Sequence, residues 1–287
     1  MHVALIQVPY HLGHEGIGMG AGPDRLVDAG AVEELERAEH EVEVVRVRRQ
    51  NGEANEIGAS FEVVRRVAEA VAEATSRGAF PIVLSGNCMC SIGAVAGIGR
   101  DVGVVWLDAH PDFNTTDESL SGFADGMGLS ILTGTGWRAL RETIPGYRVV
   151  PEANVVLVGI RDINPPEEER LQVSPLQVVG PAQAAERIGP ALNRLREHVA
   201  DAYVHLDLDV LDPSEGRANE YAAAGGIVAA DVGRIIDAVG DCLVIRGAAV
   251  TAYDPAADPE GKIPSTAAAL MTRIVAAAEA KVGAVER

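Results

Sequence analysis

Aromatic residues, cysteines and basic segments are scarce in this sequence. Only 4% of its 287 residues are aromatic, and the three cysteines, Cys88, Cys90 and Cys242, do not have the spacing of a disulfide framework. No block of lysine or arginine occurs and the formal net charge is −18, which argues against nucleic acid or an anionic membrane surface as a partner. Such a negative field instead favours metal ions and a small cationic substrate.

Long hydrophobic runs and targeting signals are absent as well. No uninterrupted apolar run approaches the length of a transmembrane helix. The amino-terminal segment 1–8 has neither the basic start nor the cleavage site of a signal peptide, and it resembles a strand. From these features we expect a soluble, cytoplasmic protein with no membrane partner.

The composition and the order of apolar segments indicate one α/β domain. With 47% hydrophobic residues and no internal repeat, low-complexity linker or break in composition, residues 1–287 are expected to form a single domain. Strand-like segments fall near 2–8, 41–47, 81–85, 102–107, 154–159, 176–179, 202–208 and 243–252. Helix-like segments fall near 23–38, 57–77, 89–98, 181–199, 230–239 and 263–283. This alternation predicts a mostly parallel central sheet of about eight strands with helices on both faces.

An acidic segment follows the predicted strand at 102–107. Residues at alternate positions of an extended chain point to one side. Asp108, His110 and Asp112 are therefore expected to share a face. Taken alone, this segment could equally be a solvated turn after a strand.

A second acidic segment lies at the end of the predicted strand at 202–208. His205, Asp207 and Asp209 share a face by the same rule, although this segment alone could be an acidic turn closed by Pro213. Both segments lie at carboxyl ends of predicted strands, where parallel α/β sheets bind ligands. Because a buried group of carboxylates is very costly without a cation, the two together favour a metal centre. Oxygen and imidazole ligands together suit Mn, Fe, Co or Zn.

A third segment completes a resemblance to a known family. Residues 81–93 read as a strand, a tight glycine turn and a helix. The three segments are Ser85-Gly86-Asn87-Cys88-Met89, Asp108-Ala-His110-Pro-Asp112 and Asp207-Leu-Asp209-Val-Leu-Asp212-Pro213. They resemble the three metal motifs of the ureohydrolase family, which includes arginases and agmatinases. The resemblance extends over nearly the whole chain and is closer to arginases, through Ser121-Gly-Phe-Ala-Asp125 and Arg161-Asp-Ile-Asn164-Pro.

This resemblance implies a three-layer arginase-like fold that holds two Mn²⁺ ions. The implied metal ligands are Cys88, Asp108, His110, Asp112, Asp207 and Asp209. Asp108 and Asp207 would bridge the ions, while a thiolate ligand leaves other divalent transition metals open. The implied contacts to a cationic or neutral amino-acid substrate are Asn114, Ser121, Asn164 and Glu167. Asn164 replaces a family aspartate, which implies a weaker contact with an α-ammonium group.

Three positions depart from the family pattern. Cys88 replaces a metal-binding histidine, Asp125 replaces a histidine that transfers protons in arginases, and Ala252 replaces a late glutamate that pairs with a guanidinium. Two interpretations are open: a non-catalytic binding or regulatory protein on an arginase-like scaffold, or an enzyme with a changed substrate. The other five ligand positions are retained and a thiolate can bind metal, which favours the second.

A substrate group less basic than a guanidine could bind in its neutral form, and it would not need the missing carboxylate as a partner. An N-hydroxyguanidine is such a group, because its hydroxyl withdraws electrons. The same departures resemble a branch of the family that cleaves Nω-hydroxy-L-arginine to L-ornithine and hydroxyurea in antibiotic biosynthesis. That resemblance implies attack by a hydroxide bridging the metals, with Asp209 as ligand and base and Asp125 assisting the leaving group. Hydrolysis of arginine, agmatine or another guanidino compound is the alternative.

The remaining histidines and cysteines have less specific interpretations. His205 could supply a further imidazole ligand, although such a residue is more often a hydrogen-bonded core histidine. Cys90 and Cys242 are expected to pack in the core, Cys242 at the start of a late strand. His11 and His14 are expected in a solvated, glycine-rich loop. The chain ends without the extended tail that some arginases use in trimers, so a monomer is expected.

Overall fold

An eight-stranded, all-parallel sheet forms the centre of the computed structural model, which describes residues 1–50, 52, 55–119 and 121–285. Its strands are β1 (His2–Val8), β4 (Glu41–Arg46), β5 (Phe80–Ser85), β6 (Gly103–Leu107), β7 (Val155–Val158), β8 (Gln177–Val179), β9 (Asp201–Asp207) and β10 (Val244–Thr251). Their order in the sheet is β4-β1-β5-β10-β9-β6-β7-β8. All eight predicted strands and the parallel arrangement are confirmed. The single domain predicted for 1–287 stays a prediction, and positions 51, 53, 54, 120, 286 and 287 lie outside the described residues.

Helices cover both faces of this sheet. They are α1 (Gly22–Asp28), α2 (Ala31–Arg37), α3 (Glu56–Ser76), α4 (Cys90–Ile98), α5 (Gly128–Leu132), α6 (Arg138–Arg141), α7 (Pro165–Val173), α8 (Ala184–His198), α9 (Ala229–Cys242) and α10 (Ile263–Val285). Helices α1, α2, α8, α9 and α10 pack with one face of the strands, and α3, α4 and α5 with the other. None of the helices in the described ranges is long and apolar enough to cross a membrane.

Alternating strand residues divide the core between the two faces. Val105 and Leu107 pack with the first set of helices, whereas Val104 and Trp106 pack with the second. This is the pattern expected when each strand is buried on both sides. The side of the sheet covered by α3 and α4 is therefore the side that carries Trp106 and, two residues later, Asp108.

Three predictions about local structure were wrong. The helix predicted at 23–38 is interrupted, because Gly30 adopts a left-handed conformation (φ +99°) between α1 and α2. Cys242 ends α9 instead of opening a strand. The segment around His11 and His14 is not a simple loop, since Tyr10–His11 (β2) and His14–Glu15 (β3) pair as a short antiparallel hairpin.

The register of the central strands aligns their carboxyl ends. Thr251, the last residue of β10, pairs with Ser85 at the end of β5 and with Asp207 at the end of β9. On the far side of β9, Leu107 at the end of β6 pairs with Leu206. Four neighbouring strands therefore direct their following loops to one edge of the sheet, and these loops contain the predicted site.

Candidate metal centre

The turn after β6 positions the first acidic segment. Asp108 is buried, and its Oδ1 accepts a hydrogen bond of 2.7 Å from the backbone N–H of His110. Its Oδ2 accepts one of 3.0 Å from the indole N–H of Trp106. Asp112 has a left-handed backbone (φ +50°), which is uncommon for a residue with a side chain. This conformation ends the extended run and leaves the Asp112 carboxylate buried, with Oδ2 lacking a hydrogen-bond partner.

The segment after β9 places two more buried aspartates beside it. Asp207 Oδ1 accepts a hydrogen bond of 2.8 Å from the N–H of Asp209. Asp209 Oδ1 in turn accepts one of 3.1 Å from the N–H of Ala109. The two acidic segments are thus tied to each other through the backbone, which fixes the positions of their carboxylates.

The turn between β5 and α4 brings the thiol of Cys88 to the same place. Cys88 is buried, and its Sγ donates to Asp207 Oδ2 at 2.9 Å. The turn depends on Gly86, because a Cβ there would lie 2.5 Å from the carbonyl oxygen of Tyr10 and 2.7 Å from the nitrogen of Gly20. The side chain of Asn87 accepts a 2.7 Å hydrogen bond from the N–H of Leu12. The loop containing the β2–β3 hairpin therefore packs directly over the Cys88 turn.

These loops create two overlapping groups of potential metal ligands. Among the described residues, the ligand atoms within each group all lie within 4.8 Å of one another: Cys88, Asp108, His205 and Asp207 form the Cys88 cluster, and Asp108, His110 and Asp209 form the His110 cluster. Five of the six predicted ligands belong to one cluster or the other. Asp112 belongs to neither, although it lines the same cavity. His205 was the open alternative in the sequence, and the structure places it within the Cys88 cluster.

The buried carboxylates disturb one another's protonation. Burial raises the pKa of Asp108 to about 7, and the charge of Asp209 adds to this rise. Burial also raises the pKa of Asp112 and Asp207 well above the usual value, again reinforced by neighbouring carboxylates. Burial opposes ionisation of His110 too, but its hydrogen bonds to Asp108 and Asp209 outweigh this and raise its pKa to about 12. The same contacts from His110 overcome the effect of burial on Asp209 and lower the pKa of that carboxyl.

The residues of this site fit a pair of divalent cations. Burial, reinforced by the charge of Asp207, raises the pKa of the Cys88 thiol well above its usual value, whereas a bound metal would deprotonate it. Asp112 Oδ2 and His205 Nε2 are buried without hydrogen-bond partners, a condition that costs about 1–3 kcal/mol for each group. Cations would relieve both the crowding of negative charge and these unpaired atoms, so the donor set suits a metal centre.

A cavity of about 290 Å³ opens above the clusters. The four predicted substrate contacts, Asn114, Ser121, Asn164 and Glu167, all line it. Three of them bond to one another: Asn164 Nδ2 donates to Asn114 Oδ1 and to Glu167 Oε2, both at 3.0 Å. Glu167 is buried, and its Oε1 accepts a 2.8 Å hydrogen bond from the N–H of Phe113. Glu167 thereby joins the start of α7 to the loop that carries the first acidic segment.

Asp125 also lines the cavity, but its carboxylate is already bonded. Its Oδ2 accepts a hydrogen bond of 2.7 Å from Asn87 Nδ2, and its Oδ1 accepts one of 2.9 Å from the N–H of Met89. Burial raises the pKa of Asp125, and these two hydrogen bonds partly oppose the rise. Asp125 therefore holds the residues on either side of Cys88. Its predicted role in catalysis stays a prediction.

Comparison with known proteins shows the family to which this chain belongs. A match to the Arginase family covers residues 1–277. The chain belongs to the arginase family. The arginase of Bacillus caldovelox is 30% identical over 94% of this chain and 96% of that protein. The structure of that arginase superposes with a TM-score of 0.85 at 29% identity, covering 95% of this chain and 97% of the other.

Other solved structures extend the likeness. Arginase from Bacillus cereus superposes with a TM-score of 0.86 at 26% identity, covering 96% of this chain and 98% of the other. Proclavaminate amidino hydrolase from Streptomyces clavuligerus has a TM-score of 0.73 at 19% identity, covering 98% and 92%, a similarity of fold alone. The protein is thus an arginase-family hydrolase of amidines, with the cluster of ligand residues that a binuclear metal site requires.

The part of the cavity wall formed by Ala252 and Asn219 carries no charged side chain. Ala252 lines the cavity in a left-handed conformation (φ +61°). Beside it, the buried amide of Asn219 donates to the carbonyl oxygen of Ala252 at 2.9 Å and to Asp209 Oδ2 at 3.3 Å. Asn219 was missed by the sequence reasoning, because a lone asparagine in a loop after the second acidic segment carries no recognisable pattern.

Arg161 is a second residue whose role the sequence did not reveal. Its guanidinium donates to the carbonyl oxygens of Asp209 at 2.7 Å and of Ala223 at 2.9 Å. The Arg161 backbone N–H donates to the carbonyl oxygen of Ala109 at 2.9 Å. Arg161 therefore joins both acidic segments to the loop around Ala223. Its guanidinium stabilises the loops around the site by donating hydrogen bonds to backbone carbonyl groups, and it does not line the cavity.

Proposed function

We propose that this protein is a metal-dependent amidinohydrolase that cleaves Nω-hydroxy-L-arginine to L-ornithine and hydroxyurea. The observation that carries the proposal is the neutral wall formed by Ala252 and Asn219. The sequence resemblance implies a carboxylate at this position in arginases. The family match supports hydrolysis of an amidine, and the departures at this wall support the choice of substrate. The cations would be held by Cys88, Asp108, His110, Asp112, Asp207 and Asp209.

Charge explains why the wall selects a less basic group. A protonated guanidinium placed beside two divalent cations without a counter-ion would be strongly repelled at short range. The side chain of Ala252 has no charge to offer, and the amide of Asn219 is already bonded to Asp209 and to the Ala252 carbonyl. An N-hydroxyguanidine is less basic and can bind neutral, so it avoids this repulsion. The wall thus disfavours L-arginine more than its hydroxylated derivative.

Other residues that line the cavity are suited to the amino-acid end of the substrate. Asn114 and Asn164 present amide groups there, and Ser121 presents an exposed hydroxyl. Glu167 supplies negative charge near the same loops. Asn114 and Ser121 would bind an α-carboxylate, whereas Glu167 and, more weakly, Asn164 would bind an α-ammonium. These contacts support an α-amino acid as the substrate.

The reaction requires water to add to the guanidine carbon and the bond from that carbon to the ornithine nitrogen to break. When bound, a pair of divalent cations would lower the pKa of water and polarise the guanidine group. Asp209 lines the cavity beside His110 and Asn219, and its carboxylate would receive the proton of the attacking water. That proton is delivered to the departing amine, so one water is consumed and L-ornithine and hydroxyurea are released. Asp125 lines the cavity, and it would assist the departure of the ornithine amine.

Product analysis with Nω-hydroxy-L-arginine and L-arginine, side by side, tests the proposal. We expect L-ornithine and hydroxyurea from the first substrate and at least about 100-fold lower kcat/KM for the second. Agmatine and enzyme treated with a chelator serve as controls. Equal cleavage of L-arginine would favour the second candidate, an arginase activity, which the names of the relatives support. Cleavage of none of these compounds by metal-loaded protein would count against both.

A further inference from the structure

His205 has an unpartnered nitrogen in the middle of the Cys88 cluster. The side chain is fully buried, and its Nε2 has no hydrogen-bond partner. The carboxylate oxygen Asp108 Oδ2 lies 3.9 Å away, which is too far for a hydrogen bond. A nitrogen of the imidazole ring nevertheless lies within 4.8 Å of ligand atoms of Cys88, Asp108 and Asp207. A buried imidazole therefore faces a thiol and two carboxylates with one nitrogen unused.

The rest of the ring is held firmly. The imidazole stacks on the indole of Trp106, with ring centroids 3.6 Å apart and planes 18° from parallel. Its Nδ1 lies 2.8 Å from Ser91 Oγ, which also accepts a 3.0 Å hydrogen bond from the hydroxyl of Tyr203. A serine oxygen has two acceptor lone pairs, so it can accept from both. A metal-binding histidine typically donates its other N–H to an oxygen in this way, which fixes the tautomer and the ring.

The dimensions of the Cys88 cluster suit a single cation. Zinc-like ions lie about 2.3 Å from thiolate sulfur, about 2.0–2.1 Å from imidazole nitrogen and about 2.0–2.2 Å from carboxylate oxygen. Ligand atoms around a tetrahedral ion with such bonds are about 3.3–3.7 Å apart. In the cluster, Cys88 Sγ lies 2.9 Å from Asp207 Oδ2 and His205 Nε2 lies 3.9 Å from Asp108 Oδ2, and all four ligand atoms lie within 4.8 Å of one another. These separations bracket the tetrahedral value.

We propose that His205 is a metal ligand through Nε2, and that it supplies to the Cys88 cluster the imidazole that the cysteine displaced. The inference rests on the metal centre of the proposed function but not on its substrate. With one thiolate, one imidazole and two carboxylates, this cluster would prefer a borderline cation such as Zn²⁺, Co²⁺ or Fe²⁺ over Mn²⁺. The His110 cluster contains no sulfur, so it would prefer a harder cation than the Cys88 cluster does.

A direct measurement on the native protein tests the ligation. Protein containing isotope-labelled histidine is loaded with NMR-active cadmium, and scalar coupling between cadmium and imidazole nitrogen is recorded. We expect coupling to two histidines, His110 and His205, the latter through Nε2. Coupling to His110 alone, in protein that binds two cadmium ions per chain, would overturn the proposal. Binding of fewer than two ions, with Cys88 freely alkylated, would overturn the proposed metal centre as well.

Variants give an independent readout that does not depend on activity. Cobalt(II) is titrated into metal-free protein, and the thiolate-to-cobalt absorption reports occupancy of the Cys88 cluster. His205→Gln should weaken cobalt binding there by about 100-fold or more, and Ser91→Ala, which keeps the imidazole but removes its Nδ1 partner, by about tenfold. His40→Gln, which replaces a buried histidine outside both clusters, should leave it unchanged.

The outcomes separate this inference from the proposed function. A thiolate-to-cobalt band of unchanged affinity in a folded His205→Gln protein would show that His205 is only a core histidine, while the metal centre stands. If His205→Gln does not fold, the Ser91→Ala titration and the cadmium coupling decide. Complete absence of the band in native protein would reject both the ligand and the metal centre at Cys88.

Discussion

The departures from the family pattern at Asp125 and Cys88 are physically connected. Its carboxylate accepts hydrogen bonds from the side chain of Asn87 and from the N–H of Met89, the two residues that flank Cys88. A carboxylate accepts hydrogen bonds well, and an asparagine supplies the N–H₂ donor that an aspartate would lack. The Asn87–Asp125 pair thus holds the Cys88 turn through complementary donor and acceptor groups.

This geometry predicts that Asp125 affects metal binding. Asp125→Ala should weaken binding of Co²⁺ at the Cys88 cluster by about tenfold, because outer contacts of this kind orient the ligands of a metal. Asp125→Asn should have a smaller effect, since its amide oxygen can still accept the N–H of Met89. The metal dissociation constant and kcat are measured together. A fall in kcat with unchanged metal affinity in both variants would instead support proton transfer as the main role of Asp125.

Ala252 is the residue at which substrate preference is expected to change. Ala252→Glu restores a carboxylate to the cavity wall, where it can pair with a guanidinium, so the ratio of kcat/KM for L-arginine to that for Nω-hydroxy-L-arginine should rise by at least about tenfold. Ala252→Gln is the matched control, because it has the same size and the same left-handed backbone but no charge. An equal change in both variants would mean that volume, and not charge, determines the preference.

The site could be predicted from the sequence only where short spacing carried the information. Asp108 and His110 stand two residues apart at the end of one strand, as do Asp207 and Asp209 at the end of another. In each pair the aspartate side chain accepts the backbone N–H of the second residue, so a turn and not a continued strand holds the two side chains together. Asn219 contributes through a contact across a loop, which no local pattern encodes. His205 satisfied the spacing rule, but only the position of Ser91 and Trp106 around its ring shows which nitrogen is free.

At the scale of the elements, the turn after β5 depends on close contact between backbones. A Cβ at Gly86 would meet the carbonyl of Tyr10 and backbone atoms of Met19 and Gly20 at 2.5–2.7 Å, distances at which the backbone must move. Gly86→Ala should therefore displace the Cys88 turn from the β2–β3 hairpin, destabilise the protein by about 2 kcal/mol or more, and reduce metal binding.

The matched control for this substitution is Gly180→Ala. Gly180 follows β8 and has open space around an added Cβ, so alanine there should change the free energy of unfolding by no more than about 0.5 kcal/mol. Denaturant unfolding measures both effects, and metal content is determined on the same samples. Unchanged stability and metal content in Gly86→Ala would show that the hairpin can yield without disturbing the turn.

The elements themselves were predictable to different degrees. Strands buried on both faces are continuous apolar runs, so the inner strands could be identified from composition alone. The edge strands β4 and β8 are only partly buried and were identified from short apolar segments instead. The break at Gly30 was missed because the apolar spacing continues across it, and only the left-handed φ separates α1 from α2. The short helices α5 and α6 have five and four residues, too few to produce a periodic apolar pattern. The β2–β3 hairpin has only two residues in each strand, too few to produce an alternating pattern.

For the molecule as a whole, the buried carboxylates imply an unusual dependence of stability on pH. Folding raises the pKa of Asp108 from 3.8 to about 7 and raises those of Asp112 and Asp207 as well. Between about pH 4 and 7 the folded, metal-free protein therefore binds more protons than the unfolded chain, and the free energy of unfolding falls as the pH rises. His110, whose pKa is raised from 6.5 to about 12, contributes in the same direction above pH 6.5. Asp209, with its lowered pKa, opposes this below about pH 4. His205, whose pKa burial lowers from 6.5 to about 3, opposes it between about pH 3 and 6.5.

Bound cations should reverse this trend. Metal ligands bind in their deprotonated forms, so metal affinity increases with pH and the stabilisation by mass action increases with it. We expect the Tm of chelator-treated protein to fall between pH 5 and pH 8 by about 4–8 °C, the change that about 2 kcal/mol produces in a chain of roughly this size. With saturating Mn²⁺ or Co²⁺ the Tm should rise over the same range. Asp112→Asn removes one of the titrating carboxylates and should flatten the fall in metal-free protein. A metal-free Tm that rises toward pH 8 would mean that these carboxylates are ionised and compensated by the protein alone.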